Sequence, residues 1–279
     1  MFESVIAILP PWLQRPAQEA LSGSLEELRL RNGQVPSCVV RGREMTLGRL
    51  KRVDAGDLNH ILCAASRASL YAVNETLAHG FLTLPGGHRI GICGQAVREQ
   101  GSIRTIHQIS SMAVRFAREQ RWTGVMPVDS CLILGPPGCG KTTLLRDCIR
   151  RLSDEGSFRV SLVDERGEVA ACVGGVPQFS VGAHTDVLTA TEKAQGITML
   201  LRTMNPQWIA VDEITRTEDI LAISQAAYCG VKLLATAHAD KLSDLYKRPV
   251  YTELMAQKVF QEVMLLRPDH SFTQERLMN

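Results

Sequence analysis

The run CLILGPPGCGKTTLLRDCIRRLS, residues 131–153, decides the fold of this chain. Cys131 to Leu134 form an apolar run of the kind that makes a strand buried on both faces, and LLRDCIRRLS reads as a helix. Between them, GPPGCGKTT matches G-x-x-x-x-G-K-[ST] through Gly135, Gly140, Lys141 and Thr142, in the strand–loop–helix setting that gives such a motif its meaning. Glycines let the backbone wrap closely around a phosphate with its N–H groups turned inward, at the start of a helix. The loop of Gly135, Pro136, Pro137, Gly138, Cys139, Gly140, Lys141, Thr142 and Thr143 is therefore expected to hold ATP. Lys141 would reach the β- and γ-phosphates, and the Thr142 hydroxyl would face Mg²⁺. Cys139, beside a helix N-terminus and a lysine, is expected to be a reactive thiol that bound ATP protects.

Three further short apolar runs follow: RVSLVD (159–164), WIAVDE (208–213) and VKLLATA (231–237). With helical segments between them they imply parallel βαβ units, hence an α/β domain of the doubly wound kind, whose ligands lie beyond the carboxyl ends of the strands. Each run ends in chemistry. Asp212 is expected to hold Mg²⁺ and Glu213 to polarise the attacking water. Asp164 and Glu165 are expected to face the same crevice, and His238, closing KLLATAHAD (232–240), to hydrogen-bond the γ-phosphate.

The first part of the chain has a different grammar. ELRLR (27–31) and SCVVRG (37–42) read as strands, DAGDLNHILCAAS (54–66) as a helix capped by Asp54, and LYAVNETLAHG (70–80) as a helix stopped by Gly80. FLTLPGGHRIGICGQAV (81–97) reads as a hairpin about Pro85-Gly86-Gly87, SSMAVRFARE (110–119) as a helix, and RWTGVMPVDS (121–130) as a linker. The expected division is a smaller α+β domain over 1–122 and a P-loop domain over 123–279.

Composition bounds the rest. No run approaches the ~18 apolar residues of a membrane span, and the start MFESVIAILPPWLQ, lacking a basic start and a long apolar core, is not expected to act as a signal sequence. Eight cysteines form no C-x-x-C pair and read as buried thiols of a reducing, cytoplasmic compartment. Residues 1–125 carry 15 Lys/Arg against 10 Asp/Glu, and residues 126–279 carry 16 against 19. That basic half is too mild, and aromatics at 5% too few, to argue for a nucleic-acid partner.

LLRTMNPQWIAVDEITRTED and AAYCGVKLLATAH together resemble the secretion and pilus ATPases of type II and type IV systems. Within that superfamily, EELRLRNGQVP (26–36), IHQISSMAVRFARE (106–119), the phosphate loop, VDERGEVAACVGGVPQ (163–178) and GAHTDVL (182–188) are similar to the stage III sporulation protein AA family, which the chain follows from about residue 25 to 270. It departs from that pattern at His184, Thr189 and Thr215. The resemblance implies a RecA-like P-loop ATPase of endospore formers. It would work in the mother-cell cytoplasm, peripheral at the inner face of the membrane, as a homo-hexamer that powers the stage III sporulation channel complex with its membrane proteins. A ring needs a basic group from a neighbouring subunit. Arg89, Arg104, Arg202 and Arg216 are the candidates, with Arg104 preferred. Two other readings stay open: a RecA-like ATPase dependent on nucleic acid, and a scaffold that binds ATP without turning it over.

Overall fold

A computed structural model describes residues 2–21, 25–48, 51–66, 77, 80–99, 101–118, 122 and 126–277. The chain divides into two compact units, Met1–Arg118 and Glu119–Asn279.

The first unit is an antiparallel sheet packed against helices. Its strands are β1 (Leu25–Arg31), β2 (Ser37–Val40), β3 (Arg43–Thr46), β4 (Phe81–Thr83), β5 (Arg89–Glu99) and β6 (Ser102–Arg115), in the order β3-β2-β1-β6-β5-β4. Leu25, Leu28 and Leu30 all point into the core although their spacing is uneven, because the register shifts between Leu25 and Glu27 and changes the phase of the alternation. Helices α1 (Glu3–Ile8), α2 (Pro11–Leu21) and α3 (Ala55–Ala65) complete that core with Val5, Leu9, Leu13, Leu58 and Ile61. α3 opens on the expected cap. Asp54 accepts from the Asp57 N–H at 2.9 Å, and the Asp57 carboxylate accepts from the Asp54 N–H at 3.1 Å.

Residues 110–118 correct the reading of a helix over 110–119, whose last residue lies outside the described residues. The expected helix is instead the end of β6, paired with β1 on one side and β5 on the other. Met112, Val114 and Phe116 are buried, a period of two. The helix-forming Ala, Arg and Glu around them gave a misleading local signal that strand pairing overrides. The expected hairpin about Pro85-Gly86-Gly87 is present as β4 and β5. The helix expected over 70–80 falls largely outside the described residues. Its terminal Gly80, at φ +75°, donates to the Leu77 carbonyl at 3.0 Å.

The second unit is built on a seven-stranded sheet. Its strands are β7 (Cys131–Gly135), β8 (Val160–Asp164), β9 (Thr185–Thr189), β10 (Trp208–Val211), β11 (Lys232–His238), β12 (Glu262–Leu266) and β13 (Phe272–Arg276), in the order β13-β12-β7-β11-β10-β8-β9. All neighbours are parallel except the edge pair β12–β13. Helices α4 (Lys141–Asp154), α5 (Lys193–Thr203), α6 (Thr217–Tyr228), α7 (Leu242–Leu245) and α8 (Pro249–Ala256) connect them. Two cores form, one containing Leu144, Leu145 and Ile149 of α4 and the other Ile197, Ile220 and Ile223 of α5 and α6. The near-continuous apolar strands follow from this burial on both faces. Register brings the strand ends together: Gly135 lies opposite His238, and Val211 opposite Ala235, so the Gly-rich loop after β7, Asp212, Glu213 and Thr236 meet at one sheet edge. Among the described residues no helix is long and apolar enough to cross a membrane.

Candidate active site

The phosphate loop leaves β7 at Gly135 and enters α4 at Lys141 through two left-handed glycines, Gly138 (φ +77°) and Gly140 (φ +100°). Such backbone suits glycine because a Cβ would crowd the carbonyl. Gly135 is constrained by packing instead. A Cβ there would lie 2.6 Å from Cys139 Sγ and 2.8 Å from the Leu266 carbonyl oxygen. Cys139 is only 3% exposed, so the structure corrects the expectation of an accessible thiol. Its side chain packs close to Gly135, within the core under the loop.

Lys141 is buried and folds back across the loop, donating to the carbonyls of Gly135 (2.9 Å) and Pro136 (2.8 Å). Burial lowers its pKa, and neighbouring acidic groups, Asp212 and Glu213 among them, oppose that shift. The loop thus holds a desolvated cation on two neutral acceptors, a state that an incoming phosphate would stabilise.

Across the edge, Asp212 is gripped by two hydroxyls. Thr142 Oγ1 donates to one carboxylate oxygen at 2.8 Å and Thr236 Oγ1 donates to the other at 2.6 Å. Burial raises the Asp212 pKa, and those two hydrogen bonds pull it back. Thr236 Oγ1 also accepts from the Glu213 N–H at 2.8 Å, so one buried hydroxyl aligns both acidic residues. Sequence reasoning passed over Thr236, although it stands in the same TAH triplet as His238.

Glu213 follows the strand end in a left-handed conformation, φ +52°. A non-glycine residue held there marks a position over-determined by its surroundings. Both its oxygens are engaged. His238 Nε2 lies 3.1 Å from one, and Arg166 Nη1 donates to the other at 3.0 Å. His238 Nδ1 is buried with no hydrogen-bond partner among the described residues. The His238 N–H is 3.4 Å from the Tyr251 hydroxyl, which donates to the Ile214 carbonyl at 3.1 Å. The strand end at His238 is therefore tied to α8.

The VDER carboxylates take other positions than expected. Asp164 turns back on its own loop and accepts from the N–H groups of Glu168 (2.9 Å), Val169 (3.2 Å) and Ala170 (2.8 Å). Glu165 pairs with buried Lys193. The carboxylate that this segment brings to the cavity is Glu168. That cavity, of about 300 Å³, is lined by Pro137, Gly138, Gly140, Lys141, Thr142, Glu168, Asp212, Glu213, Thr236 and His238.

Of the candidate arginines, Arg104 is exposed in the first unit and pairs with Glu99 at 2.6 Å, and Arg216 is exposed and pairs with Glu192 at 2.8 Å. Arg89 lies over the Phe81 ring at 3.8 Å. His184, one of the departures from the family pattern, pins β9 to the end of α4, its N–H donating to Ser153 Oγ at 2.7 Å.

The residues present suit Mg²⁺ bound together with a polyphosphate. Thr142 and Asp212 supply adjacent hard oxygens, and no cluster of three or more His, Cys, Asp or Glu able to hold a metal by itself occurs among the described residues. Glycines without Cβ atoms and a desolvated lysine at the start of a helix suit the phosphates.

Comparison with known proteins extends this picture. Residues 13–274 match the family model described as Sporulation stage III, protein AA. The chain is 36% identical over 264 residues to Stage III sporulation protein AA of Bacillus subtilis (strain 168), covering 90% of this chain and 84% of that protein. Among solved structures it is similar to the Legionella pneumophila ATPase DotB, at 15% identity and TM-score 0.60, over 96% of this chain and 80% of that one. It is also similar to the pilus retraction motor PilT with bound ADP, at 16% identity and TM-score 0.62, over 89% and 76%. At such identities the likeness is one of fold: a RecA-like P-loop domain following a smaller α+β domain.

Proposed function

This chain belongs to the Sporulation stage III, protein AA family, and we propose that it is a Mg²⁺-dependent ATPase that powers a secretion-like channel complex during endospore formation. One observation carries the reading: Lys141, the Thr142–Asp212–Thr236 chain and the Glu213–His238 pair all converge on one cavity at a sheet edge. In this reading the loop N–H groups and Lys141 bind the β- and γ-phosphates. Thr142 and Asp212 hold Mg²⁺, which when bound neutralises charge on the phosphates. Glu213 accepts the proton of the attacking water once His238 or Arg166 releases one of its oxygens. His238 then meets the γ-phosphate. Its present bond to Glu213 makes the two functions exclusive, which couples phosphate sensing to base release. Glu165 acts through Lys193, holding the segment that delivers Glu168 and Arg166.

The working form in this proposal is a homo-hexamer docked on membrane proteins of the sporulation channel from the mother-cell cytoplasm, with Arg104 reaching a neighbouring subunit. The exposure of Arg104 supports that role, since its pairing with the equally exposed Glu99 holds it only weakly. The test is sedimentation with saturating Mg·ATP. Glu213→Gln is expected to stay ATP-loaded and form larger species, and adding Arg104→Ala is expected to abolish them. A Glu213→Gln protein that remains monomeric under those conditions would contradict ATP-dependent assembly.

A further inference from the structure

The proposed chemistry occupies the β11 side of the phosphate loop, where Glu213, Thr236 and His238 lie. The opposite side, facing β12, carries an aromatic cluster that this chemistry does not use. β12 pairs with β7 on the edge away from β11 and leads through the turn Arg267–Ser271 into β13. His270 in that turn is held at φ +65°, and its Nδ1 donates to the Cys139 carbonyl of the phosphate loop at 3.0 Å. Trp122 packs edge-on against His270 and Phe272, with ring centroids 6.2 and 6.1 Å apart. A Cβ on Gly140 would lie 3.5 Å from the Trp122 ring and 3.6 Å from His270 Nδ1. Aromatic rings therefore gather directly against the helix end of the loop.

These rings are not a sealed core. Trp122 and Phe272 are half-buried and His270 is exposed. A triphosphate whose γ end lies toward Glu213 runs along the loop and leaves it at the start of α4, beside Gly140. The group attached to its α end then emerges on the β12 side, against Trp122 and His270. We propose that Trp122 and His270 form the nucleobase subsite of this nucleotide site, with Trp122 offering a stacking ring and His270 fastening the β12–β13 turn to the loop. The inference rests on the phosphate-loop reading above and adds to it what the site recognises beyond phosphate. Stacking on an indole suits a base because each has a broad π face, and it brings affinity without any charged contact.

The test compares calorimetric binding of ATP and of inorganic tripolyphosphate, both with Mg²⁺, to wild type, Trp122→Ala and Trp122→Phe. Trp122→Ala is expected to weaken ATP binding on the order of tenfold and leave tripolyphosphate binding unchanged. Trp122→Phe, which keeps a stacking face, should bind ATP close to wild type. Unchanged ATP affinity in Trp122→Ala would overturn the subsite, as would a parallel loss of both ligands, since the ring would then only support the loop. If wild type bound neither ligand, the phosphate-loop reading would fall first and the subsite with it.

Discussion

Replacing Thr236 by valine removes one hydroxyl and changes the shape of a fully buried side chain very little. Two bonds disappear with it: the donation to Asp212 at 2.6 Å and the acceptance from the Glu213 N–H at 2.8 Å. Each buried group left without its partner costs about 1–3 kcal/mol, and the added methyl recovers less than about 1 kcal/mol. The net loss is about 1–5 kcal/mol. For a domain of this size that lowers the unfolding midpoint by roughly 2–20 °C. Thr236→Ser keeps the hydroxyl and loses a methyl, so it should cost only about 1 kcal/mol. Thermal unfolding followed by circular dichroism, without nucleotide, ranks the two. The valine variant should be clearly the less stable, and its ATP turnover should fall because Asp212 and Glu213 lose their common alignment. A valine variant as stable as wild type, or more stable than the serine variant, would refute the claim that this hydroxyl organises the site.

Burial raises the Asp212 pKa above the ordinary 3.8, so its contribution to stability is full below that value and is lost as pH rises through the higher folded value. Asp212→Asn should therefore make the nucleotide-free protein more stable than wild type at neutral pH, with the advantage vanishing in acid, while hydrolysis is lost; denaturation midpoints across pH check this. Glu213→Gln should bind Mg·ATP normally and lose ~10²–10⁴-fold in turnover, read by single-turnover phosphate release. Thiol alkylation of the native protein, mapped by mass spectrometry, should label exposed Cys63, Cys93 and Cys229 and spare Cys139 with or without ATP.

The second unit was readable from sequence where apolar runs end in distinctive residues. Gly135 to Thr143, Asp212 and His238 announce themselves because the proposed phosphate and metal chemistry would demand particular residue types at fixed spacing. Strands β9, β12 and β13 carry no such signature, and β9 and β13, at the two edges of the sheet, have no fully buried position. The first unit was harder. The burial period of Met112, Val114 and Phe116 was visible, but helix-forming neighbours obscured it, and one of its two partners, β1, is distant in sequence. Within the site, side-chain direction was the hidden variable. Asp164 and Glu165 end a strand as Asp212 and Glu213 do. Yet Asp164 is drawn back by three N–H groups of its own loop and Glu165 by Lys193. Thr236 was unremarkable as a strand threonine until register set it beside Asp212.

Phosphate release from Mg·ATP by purified wild type and Lys141→Ala tests the central claim most directly. Lys141 is the only cation in the loop and is desolvated there, held by the backbone carbonyls of Gly135 and Pro136. Wild type should release phosphate only with Mg²⁺ present, and Lys141→Ala should release none above background. Equal turnover by the two proteins would contradict the account.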